Sequence, residues 1–335
     1  MTDPLTYEKT RFSRITTEHM LRSATTDAQD GIGTLNEKHL HAILKDYMTE
    51  DNAYQEVRLD DHIITARYPV RDDKVIKRDA DRYVADILTD AGEIIEIQTG
   101  SFYPLAKKID FYLRMTDCRV TVVHPIAAVK WLRYLDGKTG EISSRRRSPK
   151  KGTVRSIAHE LYWLAPYLAE PRFSLQLELL EVEEIRRTGV RKYRGRERSE
   201  RYECIPLALL DEVVLAAPED YAAHFLPDEK ALPSPFSAAD FSRATGIRGK
   251  AVYGILGILT DLGFLRLTEQ TATKARCTVW TRTAPTTSTI CPVAPRWRPR
   301  CRRQLLRRKS WARRRCSTPS ARVCTRSRAR SRQNC

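Results

Sequence analysis

Acidic residues are missing from the last part of this chain: all 42 Asp and Glu of its 335 residues precede Thr271, whereas 19 of the 59 Lys and Arg follow Gln270. The formal charge of +17 is therefore a property of the tail, and the first 270 residues, with 40 Lys and Arg, are close to neutral. Cysteine is scarce where a core can form. Only Cys118 and Cys204 lie before Thr271, while Cys277, Cys291, Cys301, Cys316, Cys324 and Cys335 crowd the remainder. That usage excludes a disulfide-stapled scaffold for the first 270 residues and predicts a reduced, cytoplasmic protein. Long apolar runs are lacking too, since the stretch Val252 to Leu265 is broken by Thr260 and Asp261. No apolar segment follows the charged start at Asp3, Glu8, Lys9 and Arg11, so neither a signal peptide nor a membrane span is expected. Cys pairs at CxxC spacing, an HExxH motif and internal repeats are all absent, which removes the common zinc sites. Gly137-Lys138-Thr139 imitates the end of a phosphate loop, but the position needing glycine is Leu132, and a hairpin turn is the expectation.

From Thr271 onward the chain is Arg, Thr, Ser, Pro, Ala and Cys without hydrophobic period, and it cannot build a core. Two readings fit. One is a disordered basic arm for RNA or DNA, with runs such as Arg302 to Lys309 neutralising phosphates at any sequence. The other is a GC-rich coding region read out of frame from about Gln270.

What is present in residues 1–270 has an order. Residues 1–33 are weakly periodic and read as an irregular or partly helical leader. Thr34 and Glu37 have capping-box spacing ahead of Leu40, Ile43, Leu44 and Tyr47, which recur at helical spacing through Met48. Tyr54–Leu59 and Ile64–Tyr68 suggest a hairpin, and Tyr83–Leu88 and Glu93–Thr99 suggest two strands about the turn Thr89-Asp90-Ala91-Gly92. Pro104 opens a helix carrying Leu105, Ile109, Tyr112 and Leu113, and Arg119–Val123 is a β-branched strand. Residues 34–126 thus form one α/β domain. Residues 127–228 form a central α+β region: a hairpin about Asp136-Gly137, a helix with Ile157, Leu161 and Leu164, a strand over Phe173–Ile185, and a charged loop over Arg191–Arg201. In residues 229–270, after Pro233-Ser234-Pro235, Ser237 and Asp240 cap a short helix and Gly246-Ile247 makes a turn. A longer helix then ends at Gly263 before a strand, the pattern of a winged helix-turn-helix. Residues 271–335 are the basic tail.

The chemistry concentrates at Asp86, Glu96 and Gln98. Side chains alternate along a strand, so Glu96 and Gln98 share one face while Ile95 and Ile97 take the other, and Asp86 lies across the hairpin from Glu96. Two carboxylates among isoleucines need compensation, and a hard cation such as Mg²⁺ or Mn²⁺ supplies it while activating water beside a phosphodiester.

These residues and the order of elements resemble the PD-(D/E)XK nuclease superfamily over roughly residues 34–125. The resemblance implies an αβββαβ core, metal ligation by Asp86 and Glu96, and an acidic helper from the first helix, whose place Glu37 matches. The lysine that orients the nucleophilic water in that superfamily is replaced here by Gln98, which offers hydrogen bonds but no charge. The complete arrangement is similar to a group of bacterial proteins that join such a domain to a C-terminal winged helix, and that similarity brings no activity with it. It implies a metal-dependent nuclease or, as an alternative, a catalytically inactive nucleic-acid-binding or regulatory protein on the same fold. A protein partner for the winged helix and a homodimer fit the sequence as well.

Plainer readings stand beside each assignment. Glu37 also closes the capping box with Thr34, Asp86 and Glu96 also suit a solvent-facing hairpin, and Lys107 and Lys108, placed to approach a phosphate from the second helix, also read as a solvated helix face. The expected nucleic-acid contacts are Arg145, Arg146, Arg147, Lys150 and Lys151 in the central region, and Arg248, Lys250 and Tyr253 at the start of the second winged-helix helix. The Arg191–Arg198 loop, with Tyr193 as a stacking ring, is equally consistent with salt bridging to Glu197, Glu200 and Glu203.

Overall fold

The computed structural model describes residues 3–26, 38–49, 53–59, 83–193, 196–272 and 275–283, which belong to a compact unit spanning Met1–Thr287. Glu37, the Ile64–Tyr68 strand and the tail beyond Thr283 lie outside the described residues. The fold is mixed α/β. A seven-stranded sheet has the order β1 (Ala53–Arg58), β2 (Val84–Thr89), β3 (Glu93–Ile97), β4 (Arg119–Asp136), β6 (Phe173–Tyr193) and β7 (Arg196–Leu215), with the short β5 (Arg146–Arg147) added to β4. Strands β1, β2 and β3 are antiparallel, whereas β4 is parallel to both β3 and β6. The parallel β3–β4 pair needs a crossover, and α3 (Leu105–Met115) provides it.

Alternation along the strands splits the apolar residues into two cores. Ile94, Val120, Val122, Leu175 and Leu177 pack beneath Ile109 and Tyr112 of α3. Ile95, Ile97, Val123, Leu180 and Val182 pack on the other face against Leu40, Ile43, Leu44 and Tyr47 of α2 (Lys38–Met48). The helical stripe seen in α2 is thus the face that covers the sheet.

The structure corrects several sequence expectations. Within the leader the helical alternative holds for Pro4–Thr26, which form helix α1, with Phe12 fully buried against Tyr47. Its inward positions include Glu8, Thr16 and His19, and polar residues on a buried face hide the helical period. The boundary at residue 126 is crossed by one 18-residue strand, β4, whose second half keeps its pairing with β6 through Asp136. Ile157, Leu161 and Leu164 sit on three successive 3₁₀ turns rather than an α-helix. Pro166 sits at the start of the third turn, and the segment's i to i−3 hydrogen bonds run from Glu160 to Ile157, Leu164 to Leu161 and Tyr167 to Leu164. The charged segment over Arg191–Arg201 prolongs the β6–β7 hairpin instead of forming a free loop.

After α4 (Pro218–Phe225) come α5 (Ala238–Thr245) and α6 (Lys250–Asp261), then a hairpin of β8 (Leu265–Ala272) and β9 (Ala275–Arg282). Ser237 and Asp240 cap α5 reciprocally, and Gly246 ends it at φ 74°, a conformation that suits glycine. The ordered chain therefore passes residue 270. Strand β9 pairs with β8 along its length, Trp280 is buried, and its backbone N–H and C=O exchange hydrogen bonds with Phe236. Phe241, Leu256 and Trp280 share a core with α3 and the 3₁₀ turns, so α5, α6 and the end of β9 are packed onto the sheet domain.

Gly152 fixes the end of the basic run against the sheet. Its N–H donates to the Ala127 carbonyl at 2.9 Å, and a Cβ there would stand 2.6 Å from that oxygen and 2.7 Å from Ile126 Cγ2. Gly152→Ala is expected to destabilise the protein by about 1–3 kcal/mol through overpacking against backbone, read from the midpoint of denaturant unfolding.

Candidate active site

Glu96 shares the α3-facing side of β3 with Ile94, because the two are separated by one alternation. It is only 2% exposed. Its Oε1 accepts a hydrogen bond from the Tyr112 hydroxyl at 2.9 Å, and its Oε2 accepts one from Lys108 Nζ at 2.5 Å. Lys108 and Tyr112 are one helical turn apart on α3, so a single helix face delivers both donors. Burial pushes the Glu96 carboxyl up to about 7, with the Asp86 charge adding to the rise and Lys108 opposing it. Burial and the Glu96 carboxylate likewise raise Tyr112, which keeps its hydroxyl a donor.

Asp86 occupies the place where β2 and β3 part. Their pairing covers Ile87 with Ile95 and Leu88 with Ile94. Beyond it the Ile97 N–H donates to Asp86 Oδ2 at 2.8 Å, so a side-chain oxygen replaces the backbone acceptor. His41 Nε2 of α2 stands 3.4 Å from the same oxygen. Burial works to raise this carboxyl, but His41, the Lys108 charge and the Ile97 N–H outweigh it and hold Asp86 below the usual carboxylate range. Two neighbouring carboxyls are thus pushed in opposite directions, the pattern that separates acid from base roles.

Gln98 extends the β3–β4 pairing, its N–H donating to the Val123 carbonyl at 2.9 Å. Its side-chain amide is committed to the loop that follows, with Nε2 donating to the Ser101 carbonyl at 2.8 Å. Ser101 Oγ and the Phe102 N–H both donate to Glu160 Oε2, at 2.8 and 2.9 Å, anchoring this loop to the 3₁₀ segment. His124 lies 2.5 Å from the Gln98 carbonyl through Nδ1, and burial lowers its pKa, so the neutral ring donates from Nδ1.

Asp86 and Glu96 are therefore brought together as the spacing predicts, while Glu37 lies outside the described residues. Lys108 is corrected from a solvated face to a partly buried partner of Glu96, with a side chain 19% exposed. The contacts of Lys108, Tyr112 and His41 with the two carboxylates are not legible in the sequence for a common reason: each belongs to a helix whose period marks a face without saying which strand residue it meets. The i, i+4 pairing of Lys108 with Tyr112 was the available signal.

Asp86 and Glu96 are the residues suited to a hard cation, because Mg²⁺ is commonly held by one or two carboxylates with water and phosphate completing its shell. Their desolvation and mutual repulsion fit such an ion. No group of three His, Cys, Asp or Glu side chains able to hold a metal ion occurs among the described residues. Cys118 and Cys204 are free and buried.

The expected nucleic-acid contacts fall in two places. Arg145 is partly spent, ion-paired with Glu183 at 3.1 Å and lying 4.2 Å over the Trp131 ring. Arg146 reaches the Tyr134 hydroxyl at 2.9 Å, and Arg147 lies over Trp131 at 6.0 Å. Arg146, Arg147, Lys150 and Lys151 are exposed and have no carboxylate partner among the described residues. Arg248, Lys250 and Tyr253 are exposed at the start of α6, with Tyr253 65% exposed.

Residues 67–216 match a family model described as a domain of unknown function, DUF8091. Over 180 residues the chain is 27% identical to an uncharacterized protein of Treponema pallidum (strain Nichols), covering 54% of this chain and 61% of that relative's length. No solved structure matches. The family match contains Asp86, Glu96, Gln98, Lys108, Tyr112 and the basic run, and ends before α4. His41 and the three C-terminal helices lie outside it. No helix among the described residues is long and apolar enough to cross a membrane.

Proposed function

We propose that this chain is a PD-(D/E)XK-like, metal-dependent hydrolase of phosphodiester bonds in DNA or RNA, with a C-terminal winged helix formed by α5, α6 and the β8–β9 hairpin. The observation that carries the reading is the desolvated pair Asp86 and Glu96 at the parting of β2 and β3, with Lys108 Nζ beside them. Asp86 and Glu96 would hold Mg²⁺ or Mn²⁺, which when bound lowers the pKa of water and neutralises phosphoryl charge. Lys108 supplies the cation that Gln98 lacks, delivered from α3 rather than from β3. It can release Glu96 to such an ion and turn its ammonium toward a phosphate oxygen. Gln98 acts on the loop through Ser101 rather than on water. His41 keeps Asp86 ionised and oriented. Arg248, Lys250 and Tyr253 fit the groove-facing end of a recognition helix.

One observation favours the alternative, a binding protein without turnover: both Glu96 oxygens are already taken, by Lys108 and Tyr112. Incubating the full chain with DNA and RNA, with and without Mg²⁺ or Mn²⁺, separates the two. Strand scission that stops on chelation is expected, and intact substrate in every arm would leave only the binding reading. Lys108→Met should slow scission by about 10²-fold, the scale of one electrostatic donor at the reacting centre, and Lys108→Arg should restore part of it. Scission is the better readout, because a tail with 19 Lys and Arg and no acid retains any polyanion.

A further inference from the structure

Three aromatic rings stand together at the surface beside the candidate active site. Tyr103, Tyr162 and Trp163 are 60%, 42% and 36% exposed. Trp163 bridges the other two, its ring centroid 4.6 Å from that of Tyr103 and 5.3 Å from that of Tyr162. Such surface is costly to leave in water, and contiguous exposed aromatic area marks a contact site.

Its position is set by the chain. Tyr103 lies five residues after Gln98, on the loop that Gln98 braces through Ser101. Glu160 binds Ser101 and Phe102 from the segment that carries Tyr162 and Trp163, so one carboxylate fixes both halves of the aromatic step. Positive charge reaches this face by two routes. Lys107 is exposed four residues after Tyr103, directly past a turn closed by the Ala106 N–H and the Phe102 carbonyl. The basic run follows β4: Arg146 and Arg147 pair with it, the Ser148 N–H reaches the Lys130 carbonyl, and Gly152 docks on Ala127, three residues after His124, whose ring meets that of Phe102 at 4.9 Å. Arg146, Arg147, Lys150 and Lys151 thereby line a path along β4 toward the 3₁₀ segment.

From this juxtaposition we infer that the partner of this face is single-stranded nucleic acid, its unpaired bases stacking on Tyr103, Trp163 and Tyr162 and its phosphates following the Arg146–Lys151 strip. The inference rests on the hydrolase reading only for what happens next, since it names the class of substrate delivered to Asp86 and Glu96. Duplex DNA keeps its bases stacked on one another and offers the rings nothing, whereas every unpaired base has a face to give. Charge complementarity to phosphate distinguishes this face from an apolar protein-docking patch.

The test compares the full chain with Trp163→Ala, Tyr103→Ala and Trp163→Phe, using fluorescein-labelled single-stranded and duplex oligonucleotides in anisotropy titrations at fixed physiological salt. Each Ala variant is expected to weaken single-strand binding by about 5- to 150-fold, the scale of one base–aromatic stack, while duplex binding by the basic tail is nearly unchanged. Trp163→Phe should retain most of the single-strand affinity, which a merely structural loss would not allow. Equal binding of single strands by wild type and both Ala variants would overturn the proposal and assign the rings to another partner. Parallel scission assays keep the readings apart. Ring-dependent single-strand binding without scission rejects the hydrolase alone, and scission indifferent to the ring variants rejects the stacking platform alone.

Discussion

Asp86→Ala is expected to lower metal-dependent scission by about 10²- to 10⁴-fold, because losing the several kcal/mol of charge stabilisation supplied by a bound cation corresponds to that range of rate. Folding should survive the change. The Asp86 carboxylate accepts one backbone N–H, from Ile97, at the place where the β2–β3 ladder has already ended, and the pairing of β3 with β4 continues on the other side. Removing the carboxylate leaves that N–H without its acceptor and frees His41, at a cost of about 1–3 kcal/mol. Asp86→Asn separates the contributions, since its carbonyl oxygen can still accept from Ile97 while the charge is gone. Scission lost in both variants, with Asn near wild type in thermal unfolding, would locate the effect in the charge. Scission retained in both would reject this site as the reacting centre.

Charge at this place was legible in the sequence because strand alternation is rigid. Once Glu93–Ile97 is a strand, Glu96 must lie opposite Ile95 and Ile97 in facing, and a tight turn at Asp90–Gly92 fixes Asp86 across from it. Helices give less. Tyr112 counted as core because its ring fills the apolar stripe of α3, yet its hydroxyl reaches through that core to Glu96. Lys108 counted as surface because lysine usually is, and no local pattern announces a carboxylate 12 positions earlier in the chain. The same limit explains α1. Its inward face carries Glu8 and Thr16, so hydrophobicity shows no period although burial does. The boundary at residue 126 failed for another reason: β4 changes partner along its length, with β3 beside its first residues and β5 beside its later ones, and local sequence reads that change as an end.

The polar face of α1 covers a second desolvated carboxylate, and this leads to the largest stability effect expected in the chain. Glu178 of β6 is fully buried, its Oε1 accepting from Gln176 Nε2 at 2.8 Å and its Oε2 without a hydrogen-bond partner among the described residues. Burial first, and then the charge of Glu212 on β7, pushes its carboxyl up to about 8, with Glu8 of α1 adding to the rise. Glu212 is itself raised by burial and by Glu8. The other groups facing this place are the Tyr47 hydroxyl of α2, which donates to Glu8 Oε2 at 2.8 Å, and Arg11 of α1, paired with Glu8 at 3.4 Å and lying over the Tyr47 ring. A carboxyl whose folded pKa exceeds its unfolded value binds its proton more tightly in the native state. Its stabilising contribution is complete below the ordinary value of 4.5 and is lost as pH rises toward about 8. Glu178→Gln keeps the shape and gives up the titration, and the new amide N–H groups can donate to Glu8 and Glu212. At pH 8 this variant is expected to be more stable than the wild type by about 2–4 kcal/mol, a discounted conversion of the shift, and to melt on the order of 10 °C higher. At pH 4.5 the two should be nearly equal. Glu96, raised to about 7, titrates in the same window, so the substitution should flatten the pH dependence of stability without abolishing it. Thermal unfolding of both proteins from pH 4.5 to 8.5 reads the difference directly. A variant less stable at pH 8 would mean that residue 178 works as a paired carboxylate, and would reverse the assignment of this buried face as proton-bound.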